Sequence, residues 1–469
     1  MKHTRLIISL LIPLIIWLLP LAWIPLEGIT VIEQRVIAIF LFAALSWVLE
    51  PIPIYTTSLA IILLELITLS DKGLVFLQSD EADYGRALRY QDILGTFASP
   101  IIILFLGGFF LAMAATKYRL DQNLARVLLA PFGQKPKYVM LGVMLITAVF
   151  SMFMSNTATT AMMLSIITPV LALLGPNDKG KIGLLLSVPV AANIGGIGTP
   201  IGTPPNAVAL KYLTGENTIG FGEWMGFAVP YVAVLMAIGW VLLITLYPTE
   251  KQRIALEVKG RWLRHSKAYV VYATFVVTIL LWLTDFWHGM NAYIVAMIPV
   301  TVFSVTGIIT KSDLQKISWD VLWLVSGGIA LGFALDETGL ASRLIGSIDF
   351  TALSPLVIMG VASIGAALMA NFMSNTATAN LLLPLMAVIG TSLPTAAGGD
   401  RTQMIVLVTT IACSMGMALP ISTPPNALAF GTNLLTTQQM AKPGVILAVV
   451  GLLLSYGLIA IMQLVGFFG

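Results

Sequence analysis

Two short phrases carry most of the polar chemistry of this chain, and each is written twice. Met154-Ser155-Asn156-Thr157-Ala158-Thr159-Thr160 returns as Met373-Ser374-Asn375-Thr376-Ala377-Thr378-Ala379, at an offset of 219 residues. Further on, Gly198–Leu210 reads GTPIGTPPNAVAL and Ala418–Phe430 reads ALPISTPPNALAF, at an offset of 220. Hydroxyls, carboxamides and prolines here interrupt strongly apolar sequence. At membrane depth such groups are costly unless they line a site. A helix that stops inside a membrane exposes carbonyls at its C-terminal end, and one that starts there exposes N–H groups. Carbonyls near Met154 and Ser155 suit a cation, and N–H groups near Thr157 to Thr159 suit an anion. Pro204 and Pro424 can restart a helix without losing a hydrogen bond. Thr203 and Thr423 stand at the capping position, and Asn206 and Asn426 can tie the broken backbone to its neighbours.

The residues missing from these stretches narrow the chemistry. Residues 138–177, 182–210, 350–399 and 402–441 contain no Asp, Glu, Lys, Arg or His. An anion bound there is held only by hydroxyls, amides and helix dipoles, which compensate poorly for a double charge in a low dielectric. Small hard cations bound alongside would neutralise it, and they take oxygen ligands of the kind supplied here. The expectation is cation-coupled uptake of an anion. Proton coupling is disfavoured, because no carboxylate or histidine in these stretches can relay a proton. An enzyme is not expected: no H-E-x-x-H, acid pair or activated nucleophile lies at membrane depth.

These groups must be positioned by membrane helices. The chain is 58% apolar and 10% charged, against about 25% charge in a soluble domain, and its mean hydropathy is +0.94. A net charge of +3 gives no reason to expect nucleic acid as a partner. The single cysteine, Cys413, excludes an intramolecular disulfide and a thiolate metal site. Apolar runs place spans at 6–24, 31–49, 53–70, 95–116, 225–247, 268–284, 290–309, 319–337 and 444–467. The first run lacks a small-x-small cleavage site and reads as a span rather than a signal peptide. Interrupted stretches cover 138–174, 182–213, 352–390 and 403–435. The two Ser-Asn-Thr stretches read as re-entrant hairpins, being short for two full spans and a turn. The two Pro-Pro stretches read as broken spans that cross.

About eleven crossings result, with the N-terminus cytoplasmic and the C-terminus outside. This arrangement leaves Arg35, Lys72, Arg86, Arg89, Lys211, Arg343 and Arg401 outside and the other 18 of 25 basic residues inside, as the positive-inside rule asks. The repeat is wider than its phrases: Gly107-Gly108 matches Gly327-Gly328, and Ala114 matches Ala334. The chain therefore divides into scaffold helices over 1–94, a first unit over 95–247, connecting helices over 248–318 and a second unit over 319–467. The two units run in opposite senses, the sequence sign of a secondary transporter with a midplane site. The glycine pairs read as close-packing positions, and Glu50 and Glu65 as interfacial or structurally paired acids. Thr159 and Thr378 lie just past the tips, and cysteines placed there are expected to change in reactivity when sodium and a dicarboxylate bind.

Paired Ser-Asn-Thr motifs, each followed by a Thr-Pro-Pro-Asn break, resemble the divalent anion/sodium symporter family, and the Ser-Asn-Thr-Ala form resembles its bacterial di- and tricarboxylate carriers. The resemblance spans nearly the whole chain. It implies an all-α polytopic membrane protein with an elevator mechanism, working as a homodimer in the cell (inner) membrane. It implies sodium-coupled uptake of C4-dicarboxylates such as succinate, fumarate or malate, with Na+ as the co-transported ion and no organic cofactor. The alternative is a sodium-independent dicarboxylate exchanger, which would need a fixed positive side chain that the motif stretches lack. The family pattern carries substrate contact onto Asn156, Thr157, Thr203, Ser374, Asn375, Thr376, Thr423 and Pro424. A first sodium site falls on Ser151, Ser155, Asn156 and Gly202, and a second on Asn375, Ala377 and Ser422. One position departs: Ser151 precedes Ser155 by four, but the matching residue before Ser374 is Ala370, so the second cation site is expected to be the weaker.

Overall fold

The computed structural model describes residues 2–79, 81, 83–175, 178–254, 262–347, 354–392 and 401–468. Helices α1 (Lys2–Leu18), α2 (Val31–Leu49), α3 (Ile54–Thr68) and the short α4 (Tyr90–Gly95) come first. A first unit follows: α5 (Pro100–Lys117), α6 (Leu120–Leu129), α7 (Pro136–Phe153), α8 (Asn156–Leu173), α9 (Lys179–Gly196), α10 (Pro204–Leu210) and α11 (Phe221–Leu246). Between the units lie α12 (Ser266–Leu283), α13 (Asp285–His288), α14 (Ala292–Val305) and α15 (Lys311–Leu314). The second unit is α16 (Trp319–Glu337), α17 (Leu340–Gly346), α18 (Pro355–Phe372), α19 (Asn375–Ser392), α20 (Arg401–Ser414), α21 (Pro424–Phe430) and α22 (Thr437–Leu464). The order of elements in one unit is that of the other, helix for helix.

Helix ends follow local chemistry. Thr30 closes a capping box on α2: its hydroxyl accepts from Glu33 N, and the Glu33 carboxylate accepts from Thr30 N at 2.7 Å. The same carboxylate holds Arg343 at 2.8 Å, tying α2 to α17. Pro100, Pro136, Pro204, Pro355 and Pro424 all open their helices, where a missing N–H costs nothing. Arg35, counted on the outer side and within the span 31–49, lies buried in α2, donating to the carbonyls of Thr68 and Leu77 at 2.7 and 2.8 Å. Three hydrogen bonds, counting one to the Tyr84 hydroxyl, and the faces of the Trp17 and Tyr84 rings offset burial of the guanidinium. Lys259, Arg261 and residues 352 and 353 of the expected second hairpin lie outside the described residues.

Among the described residues eight helices are long and apolar enough to cross a membrane, and α7 and α18 are two of them. Each arm of the expected hairpins has 18 residues, about 27 Å at 1.5 Å per residue. Length therefore does not separate an arm that returns from a helix that crosses. The glycine pairs do pack closely: a Cβ on Gly107 would lie 2.5 Å from the Ala296 carbonyl, and one on Gly328 would lie 2.1 Å from the Asn380 side chain.

The units interlock. Half-helix α10 of the first unit packs on α19 and α20 of the second, and α21 of the second packs on α8 and α9 of the first. Helix α3 packs on α16, and α14 on α5, around this body.

Candidate functional site

Both tips have the same local build. Met154 ends α7 in extended backbone, φ −129° and ψ 162°, and Met373 ends α18 at φ −131° and ψ 172°. The next residue caps the returning helix: Ser155 Oγ accepts from Ala158 N at 3.1 Å, and Ser374 Oγ accepts from Ala377 N at 3.1 Å. The serine is used as a cap because two helices meet there with only two residues to turn in.

The Pro-Pro breaks are built alike as well. Asn206 Nδ2 donates to the carbonyls of Gly196, Ile197 and Thr199. Asn426 Nδ2 donates to those of Met417 and Leu419 at 2.8 and 2.9 Å. Each asparagine thus satisfies carbonyls left open where α9 and α20 stop. Thr423 caps α21 through Asn426 N at 3.3 Å, whereas Thr203 makes no capping bond and keeps its hydroxyl free of that duty.

The four helix starts open onto one cavity of about 780 Å3. Ser155, Asn156, Thr157, Gly202, Thr203 and Pro204 line it from the first unit, and Ser374, Asn375, Thr376, Ser422, Thr423 and Pro424 from the second. Ser151 and Ala377 are fully buried and lie behind the tips. Ser151 Oγ is 2.5 Å from Asn156 Oδ1 and 2.7 Å from the Ala192 carbonyl; with one proton it donates to one of them at a time. A Cβ on Gly196 would sit 2.9 Å from the Asn156 carboxamide, and the backbone of Gly202 packs in turn on Gly196. This oxygen-rich, uncharged nest fits a small hard cation.

The second unit differs where the sequence departs. Ala370 is buried against Gly416, and its side chain offers no oxygen. Its neighbour Asn371 supplies one instead: the Asn371 carbonyl accepts from Ser422 Oγ at 3.0 Å, and its Oδ1 accepts from Ala418 N at 2.9 Å. Asn375 Oδ1 is buried with no donor among the described residues. Thr159 and Thr378 are fully buried, with no place in the cavity wall, because they fall on the packed face of their helices rather than at the tip.

Several residues without a repeated motif complete the site. Asn193 lines the cavity from α9, and its Nδ2 donates to Asn426 Oδ1 at 3.0 Å, joining the two units. Tyr55, Phe105 and Phe109 form an aromatic wall from outside the interlocked body, and Asp320 contributes the one charged side chain of the lining. Sequence offered a signal only for Asn193, an amide in an otherwise apolar run. Among the described residues the lining contains no Lys, Arg or His.

The fold is that of a multi-pass membrane protein, with one cavity lined by both repeated motifs. The chain belongs to the sodium:sulfate symporter transmembrane-region family, which matches residues 1–466. An uncharacterised transporter of Schizosaccharomyces pombe is 30% identical over 435 residues, 88% of this chain and 48% of that protein. An inorganic phosphate transporter of Saccharomyces cerevisiae is 30% identical over 407 residues, 85% of this chain and 43% of that one. The chain thus spans about half the length of these fungal relatives. A sodium-dependent dicarboxylate transporter of Staphylococcus saprophyticus is 30% identical over 454 residues, 87% of this chain and 82% of that protein. Among solved structures, the YdaH transporter of Alcanivorax borkumensis shares the fold with TM-score 0.55 at 13% identity, covering 88% of this chain and 99% of that one.

Proposed function

We propose that the protein is a sodium-coupled symporter of C4-dicarboxylates, carrying substrates of the succinate, fumarate and malate type into the cell. The observation behind this reading is the cavity where both tips meet: four helix starts and two tip asparagines, with no basic side chain in the lining. Two separate sets of N–H groups suit a ligand with two anionic ends. Such a dianion lacks a fixed counter-charge here, so cations must accompany it. Asp320 in the same lining repels the anion and favours the cation. The staphylococcal relative's dependence on sodium and its dicarboxylate substrate agree with this.

In this reading Asn156, Thr157, Thr203, Ser374, Asn375, Thr376, Thr423 and Pro424 hold the substrate carboxylates. Sodium sits with Ser151, Ser155, Asn156 and Gly202 on one side, and with Asn375, Ala377, Ser422 and Asn371 on the other. The units over 95–247 and 319–467 are inverted, and their hairpins and broken helices move as one body past the remaining helices. The protomer works as half of a homodimer in the cell membrane, with its N-terminus cytoplasmic. Uptake of labelled succinate into proteoliposomes under a sodium or a potassium gradient tests the assignment. Equal uptake in both salts, stimulated by internal dicarboxylate, would assign an exchanger instead.

A further inference from the structure

Away from the cavity one buried acid has no part in that cycle. Glu65, in α3, is fully buried, and neither of its carboxyl oxygens has a hydrogen-bond partner among the described residues. None of the ion pairs among those residues includes it. The one charge that acts on it is Lys211, at the end of α10. Lys211 makes no ion pair with it among the described residues: its Nζ donates to the Ile329 carbonyl of α16 at 2.7 Å and lies 5.1 Å from the Tyr212 ring centre. The Tyr212 hydroxyl is also buried without a partner. Gly332 of α16 makes room for both, since a Cβ there would overlap the Tyr212 hydroxyl and the Lys211 ammonium. One turn further along α16, Asp336 is exposed and acts on Lys211.

The other charged groups on helices packed against α3 are already engaged or distant. On α2, Glu33 is held by Thr30 and Arg343, and Arg35 by the carbonyls of Thr68 and Leu77. On α4, Asp92 faces Arg89, and at the end of α16 Glu337 faces Arg86. Asp320, at the other end of α16, lines the substrate cavity. Glu65 therefore has no donor and no paired cation, and an ionised carboxylate so enclosed is far more costly than a neutral acid.

We propose that Glu65, beside Lys211 and Tyr212, is a proton-binding site whose carboxyl is carried protonated in this conformation. The site joins three helices, α3, α10 and α16. It is independent of which anion the cavity takes.

Infrared difference spectroscopy on the detergent-purified full chain tests this. Ordinary glutamates are ionised at about pH 7. The expected difference between wild type and Glu65→Gln at that pH is loss of a protonated-carboxyl carbonyl band, with no matching loss of a carboxylate band. Glu65→Asp should shift the band rather than abolish it, and it serves if the glutamine variant does not fold. Sodium-driven uptake should survive in Glu65→Gln, which mimics the protonated acid. Loss of a carboxylate band in place of the acid band in Glu65→Gln, or a shift confined to the carboxylate bands in Glu65→Asp, would show Glu65 ionised and overturn the proposal.

Discussion

Replacing Asn375 by alanine separates binding from folding at the point where the structure makes that cleanest. The Asn375 Oδ1 is buried in the cavity wall with no donor, so its removal orphans no partner on that side. The backbone cap at the same tip is made by Ser374 and is untouched. A hydrogen bond from the carboxamide to a charged carboxylate is worth about 1.5–3 kcal/mol, so the half-saturation for substrate should rise roughly 10- to 150-fold. The thermal unfolding midpoint in detergent without substrate should stay near that of the wild type. Sodium plus succinate should raise the wild-type midpoint and fail to raise the variant's at the same concentration. A folded Asn375→Ala protein with wild-type half-saturation would refute the placement of substrate at this tip.

Asn426→Ala is expected to act in the opposite way, through stability. It orphans the carbonyls of Met417 and Leu419 and the amide of Asn193, at about 1–3 kcal/mol per buried group, and the melting temperature should fall clearly even without ligand. Ser151→Ala should raise the sodium concentration needed for uptake, while Ala370→Ser should not lower it, because Gly416 fills the space beside Ala370; sodium titrations of uptake decide both. At Asp313, burial alone would push the carboxyl up, but hydrogen bonds from Lys117 and Thr310 outweigh it and hold it down to about 2. The folded value lies below the ordinary one near 3.9, so the contribution is present above about pH 4 and fades as pH falls through about 2. Melting curves of wild type and Asp313→Asn should converge over that interval and differ at neutral pH.

What the sequence disclosed, and what it did not, follows from where each signal lies. Helices α2 and α16 begin and end where their apolar runs do, at Val31–Leu49 and Trp319–Glu337, because period and length are written locally. The doubled phrases disclosed the tips and the breaks, since a polar residue or proline inside an apolar run is itself the signal. Asn371 and Asp320 went unread because each acquires its place only when distant helices meet, and Asn193 because its one signal, an amide in an apolar run, is not repeated in the second unit. Arg35 falls within its expected span, but what shelters it was not legible, because it comes from Thr68 and Leu77, far along the chain. Thr159 and Thr378 share the tip motif but not its exposure, since helical phase turns them into the packing. The cavity's lack of positive charge was legible, whereas its aromatic wall was not.

The central claim is that cations supply the charge the cavity lacks. Proteoliposomes holding the purified chain, loaded without dicarboxylate, are diluted into labelled succinate with either a sodium or a potassium gradient of equal size. Accumulation above equilibrium with sodium, and none with potassium, is the expected result. Accumulation that is the same in both salts, or that appears only when the vesicles contain dicarboxylate, would contradict it.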